Sequence, residues 1–166
     1  MILKEENEWP PARKELKKLY ICEDHQMKET PSEEMTEYRY NADDKKSEMV
    51  FSYTFDNDTD IIGYSKLKLF VGTENSDDMD VNVTISKLSA YDTPLVQRGI
   101  GNYAGPTGKL RASRRKLDEA VSTENEPVLM LDDSYQFLSK DEVAELDIPS
   151  WPTGMRFHAG EKLVVR

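Results

Sequence analysis

A single cysteine, Cys22, and two histidines, His25 and His158, are all that the 166 residues offer of the side chains that most often carry redox, metal and acid–base chemistry. One cysteine excludes a disulfide within the chain and is compatible with a reducing compartment. Long apolar runs are missing as well, which excludes a membrane-spanning helix. The opening Met-Ile-Leu turns at once to Lys4, Glu5, Glu6 and Glu8, so no secretion signal is read there, and the expected location is cytoplasmic. Two sequons, Asn57-Asp58-Thr59 and Asn82-Val83-Thr84, carry little weight without a secretory route. Basic charge is in short supply: 22 Lys and Arg face 32 Asp and Glu, a formal net charge of −10. Nucleic acid is therefore not expected as a partner, because phosphate neutralisation by cationic side chains supplies most of that affinity. The one basic run, Arg111, Arg114, Arg115 and Lys116, reads as a solvated face with acidic neighbours.

What is present is alternation with period two. Met49, Phe51, Tyr53 and Phe55 alternate with smaller or polar residues, as a half-buried strand should, and Asp56-Asn57-Asp58 ends the run. Ser65, Leu67, Leu69 and Val71 share one face opposite Lys66 and Lys68, and a third run has Val81, Val83 and Ile85 opposite Asn82, Thr84 and Ser86. Later, Ala144, Leu146 and Ile148 alternate with Glu145 and Asp147. Leu110 and Ala112 resume a strand, Met155 and Phe157 form a short one after a turn at Trp151-Pro152-Thr153-Gly154, and a last strand begins at Leu163. Amphipathic strands at short spacing, without helical patterns between them, predict antiparallel sheets with one wet face. A weak helical patch is read at residues 114–121. Residues 93–108, with Pro94, Gly99, Gly101, Gly105, Pro106 and Gly108, read as a crossover loop. Residues 1–47 form an irregular lead-in, extended rather than helical over residues 10–20, that must be tied down by Tyr20, Tyr38 or Tyr40. Residues 48–166 form the sandwich.

Several short motifs fail on the residues around them. Asp56-Asn57-Asp58-Thr59-Asp60 has the acidic spacing that opens an EF-hand loop, but Ile61 stands where the sharp turn needs glycine and Leu67 where a bidentate glutamate is needed. Asp77, Asp78 and Asp80 read as a turn whose carboxylates accept backbone N–H bonds. Gly99-Ile100-Gly101-Asn102-Tyr103-Ala104 matches a dinucleotide fingerprint, yet Gly105-Pro106-Thr107-Gly108 follows, where a helix would have to begin. Gly63-Tyr64-Ser65 begins like a nucleophile elbow, but Leu67 replaces the second glycine and Ser65 sits inside a strand. Cys22 and His25 make half a zinc site with no second pair. No cofactor or metal is expected, and no catalytic residue is assigned.

Read in order, Phe55-Asp56-Asn57-Asp58-Thr59-Asp60-Ile61-Ile62-Gly63, Lys66-Leu67-Lys68-Leu69-Phe70-Val71, Asp77-Asp78-Met79-Asp80, Leu110-Arg111-Ala112-Ser113-Arg114-Arg115, Trp151-Pro152 and Phe157-His158-Ala159-Gly160-Glu161-Lys162-Leu163 resemble the C-terminal domain of the X-Pro dipeptidyl-peptidase and CocE/NonD acyl hydrolases. The resemblance covers residues 48–166, and the lead-in from Trp9-Pro10 to Tyr20 is similar to the family's entry into this domain. It implies a jelly-roll-like, galactose-binding-domain-like β-sandwich that packs against an α/β-hydrolase catalytic domain or subunit, where the serine, aspartate and histidine of the triad lie. It implies structural roles here for Asp60, Gly63, Asp78, Asp80, Arg111, Ser113, Arg115, Trp151, Pro152 and Gly160, with Arg111 or Arg115 paired to a turn aspartate. The family continues past the strand at Leu163, so the expected chain end is an unpaired edge open to self-association. Two competing readings are a stand-alone carbohydrate-binding module with Trp151, Tyr91 or Tyr103 as its platform, and an independent hydrolase using His158 with Ser113 or Ser150.

Overall fold

The structure, a computed structural model, describes residues 5–41, 43–44, 46–96, 103–124 and 126–166. It is all-β, in the β-sandwich class that the alternations predict. Eight strands are described: β1 (Tyr20–Ile21), β2 (Met27–Lys28), β3 (Phe51–Thr54), β4 (Thr59–Val71), β5 (Asp80–Leu88), β6 (Thr107–Arg111), β7 (Ala144–Phe157) and β8 (Lys162–Val165). Two three-residue 3-10 turns, Glu23–His25 and Ala112–Arg114, are the described helical elements. The chain divides into two compact units. The first comprises Met1–Ile62, Thr84–Gly105 and Gly154–Arg166, and the second Gly63–Val83 and Pro106–Thr153.

In the first unit β8 lies between β3 and β5 and is antiparallel to both. Phe51 and Ile85 each face Val165, and Tyr53 and Lys87 each face Leu163. The expectation of a C-terminal strand with an open edge is thereby corrected: β8 takes ladder hydrogen bonds on both sides. The core of this unit is aromatic. Met27, Phe51, Phe55, Phe157 and Leu163 are buried together, with Phe55 stacked on Phe157 at 4.5 Å between centroids. Each fully buried side chain of this size stabilises the fold by about 1.5–3 kcal/mol. The lead-in contributes Met27 to this core, and its tyrosine anchor is Tyr38, which donates to the Cys22 carbonyl at 2.8 Å and packs edge-on against Phe51. Tyr20 and Tyr40 are exposed instead. Farther out, Tyr53 donates to Glu29 at 2.5 Å while Lys17 bonds both.

In the second unit the strand order is β5–β6–β7–β4, with Gly108 facing Ser150 across β6 and β7. Its core is aliphatic: Val83, Leu110, Ala112, Leu138, Ala144, Leu146 and Ile148 are buried. The β7 alternation is as read, with Ala144, Leu146, Ile148 and Ser150 inward.

Two local readings are corrected here. The helix expected over residues 114–121 does not form: Arg114 closes a 3-10 turn, and beyond it the Lys116 carbonyl accepts from Met130 N–H, Asp118 N–H donates to the Val128 carbonyl, and Leu117 bridges Leu129. The Lys116 carbonyl and the Asp118 N–H, which a helix would pair locally, are thus taken by residues 130 and 128. Trp151-Pro152-Thr153-Gly154 does not turn the chain, because β7 runs through it to Phe157. Proline and the residue before it both favour extended backbone, so a Trp-Pro pair suits a strand as well as a turn. Of the glycine motif at residues 99–104, Gly99 to Asn102 lie outside the described residues, as do residues 97–98 of the crossover loop.

Candidate functional site

The polar side chains that sequence alone singles out are tied to one another and to backbone groups. In the second unit Asp78 is the hub. Its Oδ1 accepts from the backbone N–H groups of Met79 and Ser113, both at 2.9 Å, and its Oδ2 accepts from the Ser113 hydroxyl at 2.7 Å. Ser113 has no exposed surface, so its hydroxyl depends on that carboxylate. Arg111 grips Asp80 bidentately at 2.8 and 2.9 Å, the fork-to-fork geometry that makes such pairs specific. The Arg111 guanidinium holds the Asp80 carboxyl below the usual carboxylate range. Arg115 donates to the carbonyls of Ala112 and Gln136 and to Glu142 at 3.0 Å. Glu142 also accepts from Ser139 N–H at 2.8 Å, a bond that, with the Arg115 charge, keeps its carboxyl low. Backbone bonds from Ala112 N–H to Met79 and from Leu138 N–H to Asp77 close the arrangement. Three segments, residues 77–80, 112–115 and 136–142, are sewn together by these contacts.

The basic run is paired in the same manner. Arg114 bonds the Asp132 carbonyl and the Tyr135 hydroxyl and lies over the Tyr135 ring, and Lys116 reaches Asp132 at 3.5 Å.

In the first unit the acidic turn before β4 is held by the turn before β8. Asp58 accepts from Ala159 N–H at 3.1 Å and lies 3.0 Å from His158 Nδ1, contacts that lower its pKa, the histidine bond first. Asp60 receives Arg156 bidentately at 2.7 and 3.1 Å. Gly160 has φ of +84°, a conformation that a side chain would strain, and its N–H donates to the Phe55 carbonyl at 2.7 Å. Gly63, within β4, likewise sits at φ +119°. Glu161 Oε2 takes the His158 N–H at 2.6 Å and Lys87 Nζ at 2.5 Å. Burial pushes the Glu161 carboxyl up, but the His158 N–H and the Lys87 charge outweigh it and leave the pKa lowered.

None of this makes a catalytic constellation among the described residues. The hydroxyl of Ser113 is bound to Asp78, and that of Ser150 lies 2.5 Å from the Ser65 hydroxyl. His158 has Asp58 as its partner. Two carboxylates of the EF-like run, Asp58 and Asp60, are engaged by protein groups, and among the described residues no three His, Cys, Asp or Glu side chains are grouped to hold a metal ion. Cys22 is buried with its thiol 3.5 Å from the Tyr20 carbonyl, while His25 stacks on Phe51 and packs at a tilt against Tyr38. Trp151 and Tyr91 are exposed and Pro152 lies beside Trp151 on the surface. Two surface hollows, one at Lys116, Asp118, Met130 and Gln136 and one at Asp80, Asn82, Lys109 and Arg111, include neither these aromatics nor Tyr103. No described helix is long and apolar enough to cross a membrane.

Arg156, Glu142, Lys87 and Glu161 are the partners that sequence reading missed. Arg156 alone left a signal, a charge between Met155 and Phe157 in an otherwise apolar alternation. The other three lie in polar contexts that do not distinguish them.

The family of X-Pro dipeptidyl-peptidase C-terminal non-catalytic domains matches residues 3–166. No curated protein matches the chain. Two solved structures of a CocE/NonD family hydrolase from Staphylococcus aureus superpose with a TM-score of 0.88 at 32% identity, covering 98% of this chain and 30% of theirs. An aminopeptidase from a marine sediment Thaumarchaeota archaeon is similar in fold, with a TM-score of 0.63 at 18% identity over 96% of this chain and 30% of that one. The chain thus spans about 30% of the length of the solved relatives it matches. With the family match running almost from end to end, the chain belongs to the X-Pro dipeptidyl-peptidase C-terminal non-catalytic domain family.

Proposed function

We propose that the chain serves as the accessory β-sandwich of a CocE/NonD-type or X-Pro dipeptidyl-peptidase-type serine hydrolase, packing against an α/β-hydrolase part that performs acyl ester or aminoacyl peptide hydrolysis and helping to frame its cleft. The observation that carries this reading is the 98% superposition of the chain on 30% of a hydrolase, joined to side chains already engaged in holding the fold. In this role Asp60, Asp80 and Arg111 tie strands, Asp78, Ser113 and Arg115 clamp loops, Gly63 and Gly160 permit backbone that other residues would strain, and Trp151-Pro152 keeps β7 extended. A jelly-roll, galactose-binding-like subtype belongs to the same proposal. So does the division into a lead-in of residues 1–47 and a sandwich of residues 48–166, supported by Met27 and Tyr38 packing on Phe51. Self-association through a strand edge is the weaker part, since β8 is paired on both sides. Gel filtration of the purified chain is expected to give a monomer.

The test is an exchange. In the S. aureus hydrolase the equivalent 30% is replaced by this chain, and ester turnover is compared with that of the parent. Retained turnover in a protein that scatters as one particle is expected; loss of turnover with two independently moving bodies would contradict the reading.

A further inference from the structure

The second unit carries a strand face with large exposed apolar side chains at both of its ends. Lys66 meets Asp147 at 2.9 Å and Lys68 pairs with Glu145, so even-numbered residues of β4 and odd-numbered residues of β7 share the outer face of the sheet. Period two then puts Tyr64 and Phe70 of β4, and Val143 beside β7 and Trp151 within it, on that same face. All four are open: Tyr64 is 43% exposed, Phe70 66%, Val143 67% and Trp151 71%. Ala144, Leu146, Ile148 and Ser150, on the opposite face of β7, are buried.

The pattern has a physical meaning. Large aromatics exposed on a regular strand cost solubility and contribute nothing to the core, and here they stand at the two ends of one rigid face, Tyr64 and Trp151 at one and Phe70 and Val143 at the other, as anchors of an interaction surface would. The middle of the face consists of two lysines matched by one aspartate and one glutamate, with Asp147 and Lys66 already mostly shielded from water. A partner can cover such a balanced ladder without stranding an unpaired charge, the condition that usually penalises charged interfaces. Met35, Tyr91 and Leu131, also large, apolar and exposed, sit on loops.

We propose that the outer face of β4 and β7, with Tyr64, Phe70, Val143 and Trp151 as anchors, is the surface against which the catalytic part of a CocE/NonD-type hydrolase docks. This rests on the proposed function, because the occupant is taken to be the remaining 70% of relatives in which this region is 30% of the chain. An attached partner needs few anchors, since linkage raises its effective concentration.

Hydroxyl-radical footprinting tests the face on three samples: this chain alone, the exchanged S. aureus hydrolase, and the unmodified S. aureus hydrolase. Trp151, Tyr64 and Phe70 are expected to oxidise several-fold more slowly in the exchanged enzyme than in the chain alone, while Met35 and Tyr91 stay equally reactive. Positions of the parent enzyme that superpose on the four anchors are expected to be shielded too, a readout that does not depend on the exchange folding. The double variant Phe70→Asp with Trp151→Asp is expected to leave the melting of the isolated chain unchanged and to separate the exchanged enzyme into two bodies. Anchors that oxidise at the same rate in a one-particle exchanged enzyme would overturn the face while leaving the accessory role intact. Protection already present in the isolated chain, together with a dimer on gel filtration, would identify a second copy as the occupant and overturn the proposal.

Discussion

The two units of this chain are stabilised by different means. The first is organised by ring packing: Phe51, Phe55, Phe157 and Tyr38 pack on one another beneath β3 and β8, and its polar contacts lie at the rim. The second has an aliphatic core and long loops, and a set of carboxylate and guanidinium contacts centred on Asp78 and Arg115 holds those loops in register. Apolar packing tolerates small shifts and loses energy in proportion to the volume removed. A buried polar bond fails abruptly when one partner is deleted, because the other is left without water. Loops in an acidic protein can be fixed either way; here the loops of the second unit use the polar route.

The sharpest way to break the first unit is Phe157→Ala, which empties the centre of its aromatic cluster. A loss of about 3–5 kcal/mol on chemical denaturation is expected. Asp78→Ala should cost less, about 1–3 kcal/mol, because it orphans the buried Ser113 hydroxyl and two N–H groups. Its signature is local: faster hydrogen exchange at residues 112–115 and 136–138, with little change around β8. If exchange rose equally at β8, the contrast between the units would be lost.

Glu161 in the first unit and Glu142 in the second both have lowered pKa values in the folded chain. Their stabilisation is therefore complete above the unfolded glutamate value of about 4.3 and is lost as pH falls through the lower folded values. An acid titration followed by circular dichroism should show a flat plateau near neutrality and a decline below that range. Glu161→Gln and Glu142→Gln should each make the decline shallower. Arg111→Ala, at an exposed pair between β5 and β6, is expected to have the smallest effect of these polar contacts, and one that added salt diminishes.

How much of this was legible in the sequence follows from what is local. Period-two runs marked β3, β4, β5 and the first half of β7, since the inward face of a strand is written in consecutive residues. The partners of β8 were not legible, because Val165 meets Phe51 and Ile85 across 114 and 80 residues of chain. The helix read at residues 114–121 failed for the same reason: Leu117 pairs with Leu129, and helix-forming residues yield to a partner that composition does not reveal. Trp151-Pro152 was read as a turn although proline's fixed φ serves an extended strand equally well. Among the polar contacts, Arg111 to Asp80 was anticipated only through family resemblance. Arg115 to Glu142 and Lys87 to Glu161 arise from tertiary placement alone.

An accessory role requires that the described reactive side chains, Ser113, Ser150 and His158 among them, hold structure rather than turn over substrate. The most direct measurement is turnover of a panel of p-nitrophenyl acyl esters and X-Pro anilides by the purified chain, run alongside labelling with a serine-reactive fluorophosphonate. No turnover and no labelled serine is the predicted result. Stoichiometric labelling at one serine, Ser113 or Ser150 above all, with ester turnover lost on its replacement by alanine, would contradict it.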